Sequence, residues 1–127
     1  MYELTIRKRF AAAHKLESYP GDCCRLHGHT WEVEALVCGA NLDENGMLVD
    51  FKILKKILES IVQKLDHCYL NELTNFQGTR NNPTAENIAR FIYQQMKEQL
   101  AEKAENILLQ KITVWESPDA SASYIAE

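Results

Sequence analysis

The sequence predicts an α+β fold: a four-stranded antiparallel sheet with two helices packed on one face. Three observations predict it. Residues 2–14 and 27–39 alternate between apolar and polar side chains, the period of a half-buried strand. Two later stretches, from Phe51 and from Pro83-Thr84, repeat apolar residues at three- and four-residue spacing, the period of an amphipathic helix. The chain then returns to strand-like sequence at 107–116 and 123–125. Strands at both ends with helices grouped between them is a segregated order, which favours helices on one face of an antiparallel sheet.

In the first strand Tyr2, Leu4 and Ile6 share a side, and Phe10, Ala12 and His14 share a face further on. Ala11-Ala12-Ala13 suits a helix by propensity, but here small side chains at a strand end leave room beside a site. Residues 15–26 read as a loop, with turn chemistry in Ser18-Tyr19-Pro20-Gly21-Asp22. The second strand puts Trp31, Val33, Ala35 and Val37 on the same face as His27 and His29. Asn41 to Gly46 is a turn, and Met47-Leu48-Val49 a short extended piece. Asp50 caps the first helix, whose apolar positions are 51, 54, 57, 58, 61, 62 and 65. It ends near Leu65-Asp66-His67, and residues 68–82 read as loop. Pro83 and Thr84 open the second helix, with Ile88, Phe91, Ile92, Met96 and Leu100 as its buried stripe. The sheet's other face and its edges then need cover, which argues for oligomerisation.

At 127 residues, 46% hydrophobic and 25% charged, the chain fits one globular domain, 1–127. No apolar run approaches the length of a membrane span, so no membrane association is expected. The N-terminus alternates where a signal peptide would run apolar. Four cysteines then read as reduced thiols in a cytoplasmic protein. A net charge of −4 argues against a nucleic-acid partner. The first thirty residues nevertheless carry five cations (Arg7, Lys8, Arg9, Lys15, Arg25) against three acids. An anionic small molecule bound near Lys15 and Arg25 would use that excess, while Arg7, Lys8 and Arg9 read most simply as a solvated edge.

The chemistry concentrates in Cys23-Cys24-Arg25-Leu26-His27-Gly28-His29. Side chains two apart on a strand point the same way, so His27 and His29 can reach one metal ion. His14, thirteen residues before His27, supplies a third imidazole. Three histidines with an open fourth position form a catalytic zinc site; closure by Cys23 or Cys24 would make it structural. Histidines without metal are the third reading. A thiol at Cys23 near a dication shifts toward thiolate and can serve as base or nucleophile. Asp66 beside His67 can fix the imidazole's tautomer, or His67 can simply match the helix dipole. Glu116, next to Trp115, can accept paired N–H bonds from a guanidine-like ring edge, or lie on the surface. Thr84 and Glu86 read as a helix cap and a dipole-matched acid. Cys38 and Cys68 read as structural.

Taken together, Phe10-Ala-Ala-Ala-His14, Cys23-x-x-x-His27-Gly-His29, Leu48-Val-Asp50-Phe51, Leu65-Asp66-His67-x-x-Leu70-Asn71, Pro83-Thr84-x-Glu86-Asn87 and Trp115-Glu116 resemble the 6-pyruvoyl-tetrahydropterin synthase / 6-carboxy-5,6,7,8-tetrahydropterin synthase family. The resemblance covers nearly the whole chain. It implies the tunnelling (T-) fold, a homohexamer of two trimers, and active sites at subunit interfaces. It implies His14, His27 and His29 as Zn2+ ligands, and Cys23 as base working with Asp66 and His67, the latter pair from a neighbouring subunit in one arrangement. Glu116 would anchor the pterin edge, with Thr84 and Glu86 lining that pocket. The substrate implied is 7,8-dihydroneopterin triphosphate.

Three residues between Cys23 and His27 resemble the 6-carboxy branch of queuosine (7-deazaguanine) biosynthesis; the animal-type pyruvoyl branch has five. A branch with glutamate as base is disfavoured by Leu26. Cys24 departs from the family pattern, which has a small or polar residue there. The 6-pyruvoyl product is the alternative function, and a non-catalytic zinc- and pterin-binding protein the further one.

Overall fold

A computed structural model of the chain describes residues 1–18 and 20–127, with Asp22 described through its backbone only. Tyr19, part of the predicted turn, lies outside the described residues.

Strands β1 (Tyr2–His14) and β2 (His27–Gly39) follow the predicted bounds and pair antiparallel along their whole length, from Tyr2↔Gly39 to His14↔His27. Even positions of β1 and odd positions of β2 share one face. That face buries Ile6, Phe10, Ala12, Trp31, Val33, Ala35 and Val37. The chain crosses to β4 (Leu108–Ser117), antiparallel to β2, and ends in β5 (Ala120–Ile125), antiparallel to β4.

The sheet is not the four-stranded antiparallel one predicted. It has five strands in the order β3-β1-β2-β4-β5, and β3 (Cys68–Tyr69) runs parallel to β1 opposite Ala12 and Ala13. Two residues are too short to carry a period, so the loop-like 68–82 concealed them. What holds β3 is local. Ala11 donates its outward N–H to Asp66 Oδ1 at 2.9 Å, and its carbonyl accepts from the His67 N–H at 2.6 Å. The rest of 68–82 forms short 3-10 turns, and Met47–Val49 is irregular rather than extended.

Helix α1 (Phe51–Val62) begins where Asp50 accepts the Lys52 N–H at 2.8 Å. Its buried stripe is Leu54, Ile57, Leu58, Ile61 and Val62; Leu65 is buried in the turn that follows. Phe51, counted on that stripe, is half-exposed because it opens the helix at the molecule's edge, beside Tyr2, Leu4 and Met47. Helix α2 (Ala85–Lys103) is capped by Thr84 Oγ1, which accepts the Asn87 N–H at 3.1 Å. Ile88, Ile92, Met96 and Leu100 are buried as predicted, while Phe91 is half-buried and Ala89 and Tyr93 complete the face. Each large side chain in that stripe stabilises the fold by about 1.5–3 kcal/mol in area terms. Both helices cover the Ile6–Trp31–Ile112 face. The opposite face carries Arg7, Arg9, Thr30, Glu32 and Trp115. Among the described residues, the outer edge of β1 has no strand beside it beyond Ala12 and Ala13, nor does that of β5.

Candidate metal centre

The β1–β2 register builds the site. His14 and His27 are directly opposed at the loop end of the hairpin, and His29 faces Ala12 two residues further in. All three lie on the helix-covered face with Trp31. Their ring centroids are 4.5–5.2 Å apart, and Trp31 packs 4.9 Å from His14 and 5.3 Å from His29. Trp31 is buried and donates its indole N–H to the Ala12 carbonyl at 3.3 Å, so the floor of the site is fixed.

Each tautomer follows from a backbone partner. A carbonyl can only accept, so His14 Nδ1 carries the proton it donates to Pro83 O at 2.7 Å. His27 Nδ1 donates likewise to Arg25 O at 2.7 Å. Both rings then present Nε2 as a lone pair, the form that binds metal. Burial holds the pKa of His14 and of His29 below the ordinary 6.5. For His14 the bond to Pro83 opposes that shift, and for His29 the Glu116 carboxylate does.

Glu116 joins from the end of β4. One donor atom from each of His14, His27, His29 and Glu116 lies within 4.8 Å of the others. Among the described residues, the buried Nε2 of His14 has no hydrogen-bond partner, and that of His29 meets the Glu116 carboxylate at 2.9 Å. The Nε2 lone pairs of His14 and His27, with the His29 ring beside a carboxylate, fit a divalent cation, and the histidine-rich donor set suits a metal centre.

Around it lies a pocket of about 230 Å3 lined by His14, Leu16, Cys23, His27, Thr84, Ala85, Glu86 and Glu116. The structure therefore brings Cys23, Thr84 and Glu86 to His14, His27 and Glu116. Cys23 and Cys24 occupy one 3-10 turn and are both exposed. Cys24 donates its thiol to Gly21 O at 2.8 Å; Gly21, at φ +96°, takes a turn conformation open to glycine.

Asp66 and His67 are not in that pocket. His67 lines a separate, shallow depression with Ala11, Ala13, Gly28, His29, Thr30, Cys68 and Tyr69. Asp66 Oδ2 accepts from His67 Nδ1 at 2.9 Å, while Oδ1 holds the Ala11 N–H. Those two contacts, the Ala11 bond first, keep the Asp66 carboxyl below its usual range. The His67 backbone sits at φ +57°, a conformation costing about 1–2 kcal/mol, and its side chain is 82% exposed. The imidazole is thus oriented by Asp66 and turned outward.

Sequence reasoning missed the supporting atoms. Asn71 accepts the Lys15 N–H at 3.0 Å and donates to Lys15 O at 2.8 Å; Asn82 does the same for Glu17, both bonds at 3.1 Å. These carboxamides act as strand-like partners for the chain leaving His14. An Asn-Asn before Pro83 reads only as a turn signal. Pro83 and Arg25 contribute carbonyls, which no residue type announces. Arg7, Lys8 and Arg9 pair with Glu34, Glu59 and Glu32, in line with a solvated edge. Arg25 is exposed and Lys15 half-buried.

A five-stranded mixed sheet backed by two helices, with a histidine-rich candidate metal centre at one hairpin end, defines a protein of the T-fold class. The chain belongs to the 6-pyruvoyl tetrahydropterin synthase family, whose model matches residues 3–127. The structure is similar to 6-pyruvoyl tetrahydropterin synthase from Caenorhabditis elegans, with a TM-score of 0.80 and 26% identity over 100% of this chain and 98% of that one. It is 33% identical over 126 residues to 6-carboxy-5,6,7,8-tetrahydropterin synthase from Bacillus subtilis, covering 97% of this chain and 84% of that protein. It is 35% identical over 112 residues to dihydroneopterin monophosphate aldolase from Pyrococcus furiosus, covering 87% and 85%.

Proposed function

We propose that the protein is a zinc-dependent 6-carboxy-5,6,7,8-tetrahydropterin synthase. It would convert 7,8-dihydroneopterin triphosphate and water to 6-carboxy-5,6,7,8-tetrahydropterin, acetaldehyde and triphosphate, a lyase step toward 7-deazaguanine compounds. The observation that carries this reading is the fixed tautomer of His14 and His27, which aims Nε2 lone pairs into the pocket that also holds Cys23. The relative from Bacillus subtilis supports the choice of product.

His14, His27 and His29 would hold the zinc, which supplies Lewis-acid polarisation of the substrate's side-chain oxygens. Cys23, as thiolate, takes a proton from the three-carbon side chain. His67, its Nδ1 committed to Asp66, has Nε2 free to accept and return protons. Since Cys23 and His67 line different pockets of one chain, a complete set would join Cys23 of one copy to Asp66 and His67 of another. The uncovered sheet face and edges suit such an assembly, a homohexamer with interfacial sites in a cytoplasmic enzyme. Glu116 lies against the histidines, 2.9 Å from His29, so recognition of the pterin's amino-pyrimidinone edge falls more naturally to Glu86 with Thr84 on the same wall. Lys15 and Arg25 would meet the triphosphate.

The relative from Pyrococcus furiosus favours a second reading, aldol cleavage of a dihydroneopterin monophosphate. Mass analysis of products from zinc-loaded protein separates these. Acetaldehyde with a 6-carboxy-tetrahydropterin supports the synthase. A 6-pyruvoyl product without acetaldehyde moves the protein to the pyruvoyl branch. Turnover of the monophosphate alone selects the aldolase, and no consumption of either leaves a pterin-binding protein.

A further inference from the structure

We propose that Glu116 is the fourth protein ligand of the resting metal, so that the site is closed until substrate displaces the carboxylate. This rests on the reading of His14, His27 and His29 as metal ligands and goes beyond it. The usual three-histidine centre keeps its fourth position for water or substrate. Here a carboxylate stands in that position.

The distances carry the argument. In a tetrahedral centre with metal–nitrogen and metal–oxygen bonds near 2.0–2.1 Å, neighbouring donors lie about 3.4 Å apart. Glu116 Oε1 is 2.9 Å from His29 Nε2 and 3.9 Å from His14 Nε2, values that bracket the edge of such a tetrahedron. A protonated His29 would account for the shorter contact by itself; the longer one, to His14 Nε2, is no hydrogen bond, and among the described residues that atom has no partner. His14 cannot donate from Nε2, because its proton is on Nδ1 toward Pro83. A carboxylate oxygen facing such a lone pair is repelled by it unless a cation lies between. The Glu116 carboxylate also has room to leave: its side chain is 36% exposed, at the next-to-last position of β4, whereas His14 is 2% exposed and bonded to Pro83. His14, held by Pro83, and His27, held by Arg25, would keep the metal while the more exposed Glu116 exchanges. An entering vicinal diol would replace one anionic oxygen by two of its own, freeing the carboxylate beside the reacting carbons.

The test uses cobalt(II), whose visible bands report coordination, and azide, which binds only where a position is open. Full-length wild type, Glu116→Ala, Glu116→Gln and His14→Ala are loaded with cobalt(II), and affinity is read by chelator competition. The expected result is one cobalt per wild-type chain with a four-coordinate spectrum that azide leaves unchanged. Glu116→Ala should bind at least ten-fold more weakly and gain an azide-dependent spectral shift, since even groups one shell further out change metal affinity by roughly 10–100-fold. Glu116→Gln, nearly isosteric, should fall between them; circular dichroism checks that each variant is folded. A wild-type site that takes azide as readily as Glu116→Ala, with the same affinity and spectrum, overturns the proposal. Failure of wild type to bind cobalt, or undiminished binding by His14→Ala, overturns instead the metal reading on which it rests.

Discussion

Replacing Asn82 with alanine should remove one of the two clamps that carry the chain from His14 into the loop bearing Cys23. Asn82 is 8% exposed, and its carboxamide exchanges two hydrogen bonds with the backbone of Glu17, each 3.1 Å. A side-chain hydrogen bond contributes about 1 kcal/mol net. Glu17 is exposed, so water takes up its freed N–H and carbonyl, and no orphaned-group penalty is added. The expected cost is therefore about 2 kcal/mol. For a chain of this length that is a fall in Tm of roughly 6–10 °C, followed by circular dichroism on metal-free protein at one concentration. Asn82→Asp keeps the acceptor but turns a second carboxylate oxygen toward Glu17 O, and should be worse than alanine. Asn71→Ala loses the equivalent pair at Lys15 and should match Asn82→Ala within about 1 kcal/mol. A drop below about 2 °C for Asn82→Ala, or an aspartate variant more stable than the alanine one, would refute the clamp.

Gly39→Ala should cost about 1–3 kcal/mol, because its new methyl would stand 2.6 Å from Leu48 Cδ1 and 3.2 Å from Asn106 O; urea midpoints measure it. His14 and His29 titrate below 6.5, so between their depressed values and 6.5 the unfolded chain binds more protons than the folded one. Their contribution to the stability of the metal-free protein thus rises with pH through that window and levels off above it. A Tm series across it, against a His14→Asn control, should show the wild-type slope steeper; equal slopes would contradict the burial argument. Cys23→Ala should keep metal and lose turnover, whereas Cys24→Ala, whose thiol is turned to Gly21, should stay active. The reverse pattern in product assays would reassign the base.

The long hairpin and both helices were legible because their periods run over ten residues or more and their caps, Asp50 and Thr84, stand in sequence. His14, His27 and His29 were legible for a related reason: strand parity dictates that they share a face once Tyr2–His14 and His27–Gly39 are strands. The parallel strand at Cys68 and Tyr69 was not, since it is defined by what Ala11 lacks, a partner for its outward peptide groups, and not by its own side chains. Glu116 was picked out by its neighbour Trp115, but its place against His29 depends on the β2–β4 register, which a bulge at Leu36–Val37 sets and no local pattern encodes. Asn82 and the carbonyls of Pro83 and Arg25 were invisible because they act through backbone groups common to every residue.

Trp31 packs edge-on against two of the imidazoles and is sealed from solvent, while the other indole, Trp115, lies half-exposed on the opposite face of the sheet. The molecule therefore carries its own optical gauge. Trp31 emission responds to whatever changes the charge at His14 and His29, whether a proton, a cation or a departing carboxylate, and Trp115→Phe would silence the background. Occupancy of the centre becomes readable in dilute, unlabelled protein, on the timescale of a stopped-flow mixing experiment.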